Sequence, residues 1–338
     1  MQFIRLACAA ALSLSVSAAF ATPTYKMASS IPLGGPDRWD YVVFDASSGR
    51  VFVAHGDEVT IVDPKADTVI GQIKSIPGGT HGVAISTATG QGFTDDGKNG
   101  KVIVFDLKTL KITHEITADL DADAITFDNL TGEVFVIEGD PGAISVVDPK
   151  TDSVVAAIKV GEKLEYGVTD DMGTLFVAGE EKGDLVKIDA RSHQVVTHWP
   201  ADGCRSPHGL ALDRIGHRLF MGCANSVMMV MSAEDGHVIA KLPIGRGNDA
   251  VTFDSRRQRV FSSNGIDGTV SVYQQVAPDN YVAQAPITTR VSGRTMAVDP
   301  KSGRLFVAAA ETDPAASPGG RPQVRPGTLK LMILQPIE

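Results

Sequence analysis

Many of the compact motifs that announce enzyme chemistry are missing from this chain of 338 residues. It has no CxxCH haem-attachment motif, no HExxH zinc motif, no GxSxG nucleophile elbow, no GxxxxGK[ST] phosphate loop and no GxGxxG dinucleotide fingerprint. Their absence removes the commonest haem, metalloprotease, serine-hydrolase and nucleotide-dependent classes, so any reaction would need a site dispersed along the chain. Basic charge is also short: 31 Lys and Arg stand against 40 Asp and Glu, for a formal charge of −9. The basic residues are scattered through turns and form no stripe, so no nucleic-acid partner is expected. Beyond residue 21 no apolar run approaches the roughly 20 residues of a membrane span, so no membrane insertion is expected. Helical periodicity is absent over any useful length, and the expected fold class is all-β.

Cysteine is scarce as well, with three in the chain. Cys8 falls in a leader made of Arg5, an apolar run from Leu6 to Phe20 and the small-x-small triplet Ala19-Phe20-Ala21. This pattern reads as a signal peptide over residues 1–21, with a mature chain from Thr22 exported to the periplasm. Loss of Arg5 makes the mature chain one unit more acidic, a balance that suits solubility and attracts cations. Cys204 and Cys223 remain, an even number in an oxidising compartment, and a disulfide is the default expectation. The alternative is that both thiolates join His208 as ligands of a soft metal.

What the chain does have is a repeat. A short apolar strand ending in Asp leads through a Gly turn to a strand centred on Phe, then to a third strand, a polar turn and a fourth Val/Ile-rich strand. The stretch AITFD-NLTGE-VFVIE followed by AISVVDPKTDSVVAAIKVG (124–161) shows it most cleanly. Aligned on the Phe, the copies fall at Phe52, Phe93, Phe135, Phe176, Phe220, Phe261 and Phe306, spaced 41, 42, 41, 44, 41 and 45 residues apart. Four strands repeated at this period match the blades of a β-propeller, here seven-bladed. The seventh copy ends after three strands, TMAVD, LFVAAA and TLKLMILQP, while a spare fourth-strand pattern, YKMASSIPLG (25–34), stands near the start. The expectation is one domain over 22–338, with the N-terminal strand completing the last blade and leaving no open edge.

The phrases ISVVDPKTDSVVAAIKVG, VTIVDPKADTVIGQI and MVMSAEDGHVIAKLPIG resemble the YVTN-repeat, or YncE-like, β-propellers, over essentially the whole mature chain. The resemblance implies a largely extracytoplasmic, seven-bladed fold and carries no shared catalytic motif.

Register also points to a site. Five residues before each first-strand Asp, or before Ser86 in the second copy, stand Asp40, His81, Asp123, Glu165, His208, Asp249 and Arg294, every one ionisable. In a propeller this column gathers where the inner strands begin, at one mouth of the central channel. A second column, three residues after each Phe, holds His55, Asp96, Glu138, Gly179, Cys223, Asn264 and Ala309 and is expected to leave toward the same mouth. His81, His208 and His55 among carboxylates form a ligand set for a divalent metal. His81 or His208 could equally serve as a general base, with Asp40, Asp123, Glu165, Asp249 and Arg294 binding a polar molecule. His114, His193, His198, His217 and His237 read as surface residues of outer strands or turns. The insertion 312–327, rich in Pro and Gly, is either a lid carrying Arg321 and Arg325 over the acidic mouth or a plain loop. Three functions follow: a periplasmic propeller binding a small ligand or metal ion at the mouth, a metal-assisted hydrolase or lyase, or a scaffold for a protein partner.

Overall fold

The computed structural model describes residues 24–314 and 322–337. The expected leader 1–21 and Arg321 lie outside them. Seven antiparallel sheets form the blades, six of four strands and one of five, each ordered from the innermost strand outward, and no α-helix occurs among the described residues. Blade three runs Ala122–Asp128, Glu133–Glu138, Ala143–Asp148 and Ser153–Lys159. Innermost strands of neighbouring blades touch in cyclic order, Thr295–Val298 of blade seven meeting Trp39–Asp45 of blade one.

Closure follows the expectation. Tyr25–Pro32 pairs antiparallel with Lys330–Pro336 and is the outermost strand of blade seven. The join is sealed by apolar packing: Ile31 and Leu33 share a buried cluster with Phe306 and Leu331 of blade seven and Val42, Val51 and Val53 of blade one. Blade six departs from the pattern, since both Asn280–Ala283 and Ile287–Thr288 pair with its third strand, Thr269–Ala277. This split fourth strand accounts for the wider spacing before Phe306.

All seven Phe side chains of the repeat are at most 1% exposed. They fill the seams between blades, where truncating one to Ala costs about 3–5 kcal/mol. Met228, Met229 and Met231 are likewise fully buried, so the VMMVM run is core. At the far end of the channel the Asp that closes a first strand caps the hairpin turn, Ser86 taking its place in blade two. Asp128 accepts the N–H groups of Leu130 and Thr131 at 2.7 and 2.9 Å, and Asp254 those of Arg256 and Arg257, both at 3.0 Å. Four residues after this Asp the chain must turn left-handed, which Gly49 (φ +71) and Gly132 (φ +75) do without strain.

Candidate functional site

The column of ionisable residues does gather at the opposite end. Asp40, His81, Asp123, Glu165, His208, Asp249 and Arg294 are all half-buried, each where an inner strand begins. Four carboxylates, two imidazoles and one guanidinium make up the ring. Arg294 donates to Asp249 and to the backbone oxygen of Trp39, which ties blade seven to blades six and one. His208 approaches two neighbouring blades at once: its Nδ1 lies 3.3 Å from Glu165 Oε1 and 3.9 Å from Asp249 Oδ1. That nitrogen is buried and makes no hydrogen bond with either oxygen. Donor atoms of Glu165, His208 and Asp249 lie within 4.8 Å of one another, a spacing that could hold a metal ion. Below them Tyr41 donates a long hydrogen bond of 3.4 Å to Glu165 and packs on Tyr166, ring centres 4.4 Å apart. The channel beneath holds a cavity of about 350 Å³ lined by Val43, Phe44, Val168, Leu212, Arg214 and Phe253.

Burial dominates the electrostatics of the ring. It raises the Asp40 carboxyl to about 8, with Asp249 and Glu165 adding repulsion that Arg294 and His81 partly offset. Asp123 is raised to about 7, again by burial first and by Glu165 second. Neither Asp40 nor Asp123 accepts a hydrogen bond through its carboxylate among the described residues. Burial lowers the His81 imidazole, but its contact with Asp95 outweighs this and brings it up to about 9. His208 is raised in the same way, burial being overcome by Glu165 and Asp249.

His81 differs in role from His208. Its Nδ1 lies 2.7 Å from Asp95 Oδ2, and its own N–H donates to Asp95 Oδ1 at 2.9 Å. The Nδ1 of His81 is committed to Asp95 and His81 belongs to no convergent group of donor atoms among the described residues, so it serves the ring as a positive charge beside Asp40 and Asp123. The expected convergence of His81 and His208 on one ion does not occur in this arrangement. His55 also stands apart: it is fully buried within blade one, Nδ1 3.1 Å from the Pro36 oxygen and Nε2 2.7 Å from Thr60 Oγ1. The column three residues after each Phe is buried throughout and satisfies groups inside the blades, as when Glu138 accepts from Ser145. It does not line the mouth.

Two other expectations change. Arg325 pairs with Asp313 at 2.6 Å and reaches no ring residue, while Thr312–Asp313 and Gln323–Val324 form a short ribbon at the base of the insertion. His198 is no plain surface residue: its Nδ1 faces two buried carboxylates, Glu162 and Asp184. Cys204 and Cys223 are joined, with Cα atoms 5.4 Å apart, so they are not free thiolate ligands. The bridge ties the loop before His208 to the end of the second strand of blade five. Closing a loop of 19 residues is worth about 3 kcal/mol in the chain-entropy account.

Comparison with protein-family profiles finds no match. The uncharacterized protein YncE of Salmonella typhimurium (strain LT2) is 23% identical over 207 residues, 56% of this chain and 58% of that protein. The chain thus aligns with under two thirds of that relative's length. Hydrazine synthase of Kuenenia stuttgartiensis superimposes with a TM-score of 0.69 at 14% identity, over 82% of this chain and 93% of the other. The chain is a seven-bladed propeller similar to YncE. The hydrazine synthase likeness, at that identity, concerns the fold alone. In this propeller nothing in the sequence pattern announces Asp95, Tyr41, Glu162 and Asp184. Asp95 sits two residues after its Phe, one short of the column examined, and only the ring position of His81 hints at it.

Proposed function

We propose that the protein is an exported binding propeller that takes a divalent cation at its channel mouth, on Glu165, His208 and Asp249, alone or as the anchor of a small polar molecule. One observation carries this reading: a buried imidazole nitrogen faces carboxylates from two neighbouring blades and hydrogen-bonds to neither. Leaving such an atom without a partner costs about 1–3 kcal/mol, and a metal ion ligated by all three would satisfy it. One imidazole with two carboxylates suits zinc or a similar borderline ion. The overall acidity of the chain, −9, attracts cations, and the leader together with the Cys204–Cys223 bridge supports an oxidising compartment outside the cytoplasm.

A second reading, a metal-assisted hydrolase or lyase, draws on Asp123. A carboxyl held at about 7 can exchange protons at neutral pH, and Asp123 stands in the same ring as the three donors. Zn²⁺ titration of chelator-treated protein tests the binding site. His208→Ala is expected to weaken binding by about tenfold or more, whereas His81→Gln leaves it within a few-fold. Equal affinity in His208→Ala and the parent protein would remove the cation from the mouth.

A further inference from the structure

A second group of convergent donors lies in blade four, away from the channel. It is organised around a missing side chain. Three residues after the buried Phe the other blades carry His55, Asp96, Glu138, Cys223, Asn264 or Ala309, but blade four has Gly179. Gly179 sits in the regular strand Thr174–Gly179 and is absent from the positive-φ glycines, so its backbone does not require glycine. Space does. A Cβ there would fall 2.1 Å from Asp184 Oδ1 and 2.7 Å from Glu162 Oε2.

Three elements bring the donors in. Glu162 comes from the connection between blades three and four, Asp184 opens the third strand, and His198 reaches back from the outermost strand. His198 Nδ1 lies 2.9 Å from Asp184 Oδ2 and 3.2 Å from Glu162 Oε1. One nitrogen carries at most one proton, so it cannot satisfy both carboxylates as a full donor. Asp184 is 6% exposed, yet its Oδ1, aimed into the space over Gly179, has no hydrogen-bond partner among the described residues. Glu162 is 4% exposed. The cation already present is Lys182, whose Nζ stands 3.1 Å from Glu162 Oε1 on a half-exposed side chain that can swing into solvent. A donor atom from each of Glu162, Asp184 and His198 lies within 4.8 Å of the other two.

We infer that Glu162, Asp184 and His198 form a second metal site, separate from the ring, for a divalent ion that accepts mixed nitrogen and oxygen ligands, such as zinc. Two carboxylates and one imidazole supply three ligands of a tetrahedral site, and a water in the space that Lys182 vacates would complete the shell. Its consequence is positional. Glu162 lies just before the strand Leu164–Thr169, three residues ahead of Glu165, so an ion clamping Glu162 to blade four also steadies the segment that carries Glu165 into the ring.

Calorimetric titration of the chelator-treated mature chain with Zn²⁺ tests this. Asp184→Asn and His198→Gln are each expected to lose one binding equivalent, or to weaken it by about tenfold or more, while His208→Ala keeps that equivalent. Melting adds a second readout: Asp184→Asn should match the parent without metal and lack the rise in midpoint that Zn²⁺ gives the parent. Should Asp184→Asn fail to fold, Lys182→Ala decides, since removing the competing cation from an exposed position should tighten Zn²⁺ binding several-fold. Unchanged stoichiometry and affinity in His198→Gln, or no tightening in Lys182→Ala, would overturn the site.

Discussion

Aspartates at the two ends of the channel have the same chemistry and opposite circumstances. At the far end Asp45, Asp128, Asp213, Asp254 and Asp299 close the first strands, and each accepts backbone N–H groups of its own turn. At the mouth Asp40 and Asp123 have no such donor and are held partly protonated near neutral pH, burial being the chief cause. Both sets recur in register with the repeat, so regularity alone does not distinguish a structural carboxylate from a functional one. The distinction lies in whether the local backbone supplies hydrogen bonds. Where it does, the charge is absorbed in folding; where it does not, charge is left over for something else to meet.

The largest expected effect belongs to the far end. Asp254 is fully buried and holds two N–H groups as well as Arg257, so Asp254→Ala strands several donors at once. A loss of about 2–4 kcal/mol is expected in urea unfolding, with no change in Zn²⁺ affinity at the mouth. A loss under about 0.5 kcal/mol would mean that these carboxylates are not caps in any energetic sense.

Much of this contrast could be read from the chain. The Phe column gave the blade count, because only a residue buried at every seam recurs with that constancy, and the unmatched fourth-strand pattern at residues 25–34 gave the closure. The ring was legible for the same reason: register fixes the height of a residue along the channel. It does not fix which neighbour a side chain turns to. His81 turns to Asp95 of its own blade and His208 to the blades on either side. His55, at a similar height, is drawn inward by the Pro36 carbonyl and Thr60. His198 looked like an outer-strand surface residue because nothing local announces that Gly179 opens a space for Glu162 and Asp184 to meet it.

An intermediate effect of opposite sign is expected at the mouth. The Asp40 carboxyl rises from 3.8 to about 8 on folding, so its ionised form is disfavoured in the folded chain. The folded state holds this proton where the unfolded chain has released it, and stability falls as pH climbs from about 4 to 8. Asp40→Asn removes that cost. It should raise stability by about 1 kcal/mol above pH 8 and change little at pH 4, a gain of the kind seen when functional charge is neutralised. Chemical denaturation at the two pH values measures it, and a loss of stability at pH 8.5 comparable to that of Asp254→Ala would erase the contrast between the two ends.

The smallest effect separates the ring's positive charge from its negative ones. His81 is raised from 6.5 to about 9, burial working against the shift and Asp95 outweighing it. A group whose pKa rises on folding lends stability that is fully present below its unfolded value and disappears as pH passes its folded value. The His81–Asp95 pair should therefore stabilise fully below about pH 6.5 and lose that contribution by about pH 9. Asp40 and Asp123 give slopes of the same sign; that of Asp123 is largely spent by pH 8, and that of Asp40 has fallen to about half there. From pH 8 to 9 His81 therefore contributes the larger share. In His81→Gln that last part of the slope should flatten. Asp95 keeps the backbone N–H groups of residue 81 and Gly82, so the variant should lose only about 1 kcal/mol at pH 6. Removing the imidazolium also withdraws the charge that restrains Asp40, and the Asp40 transition should move to higher pH in the same variant. Urea unfolding at half-unit steps from pH 6 to 9.5 reads both changes, and a slope in His81→Gln identical to the parent's would show that His81 is not the ring's cation.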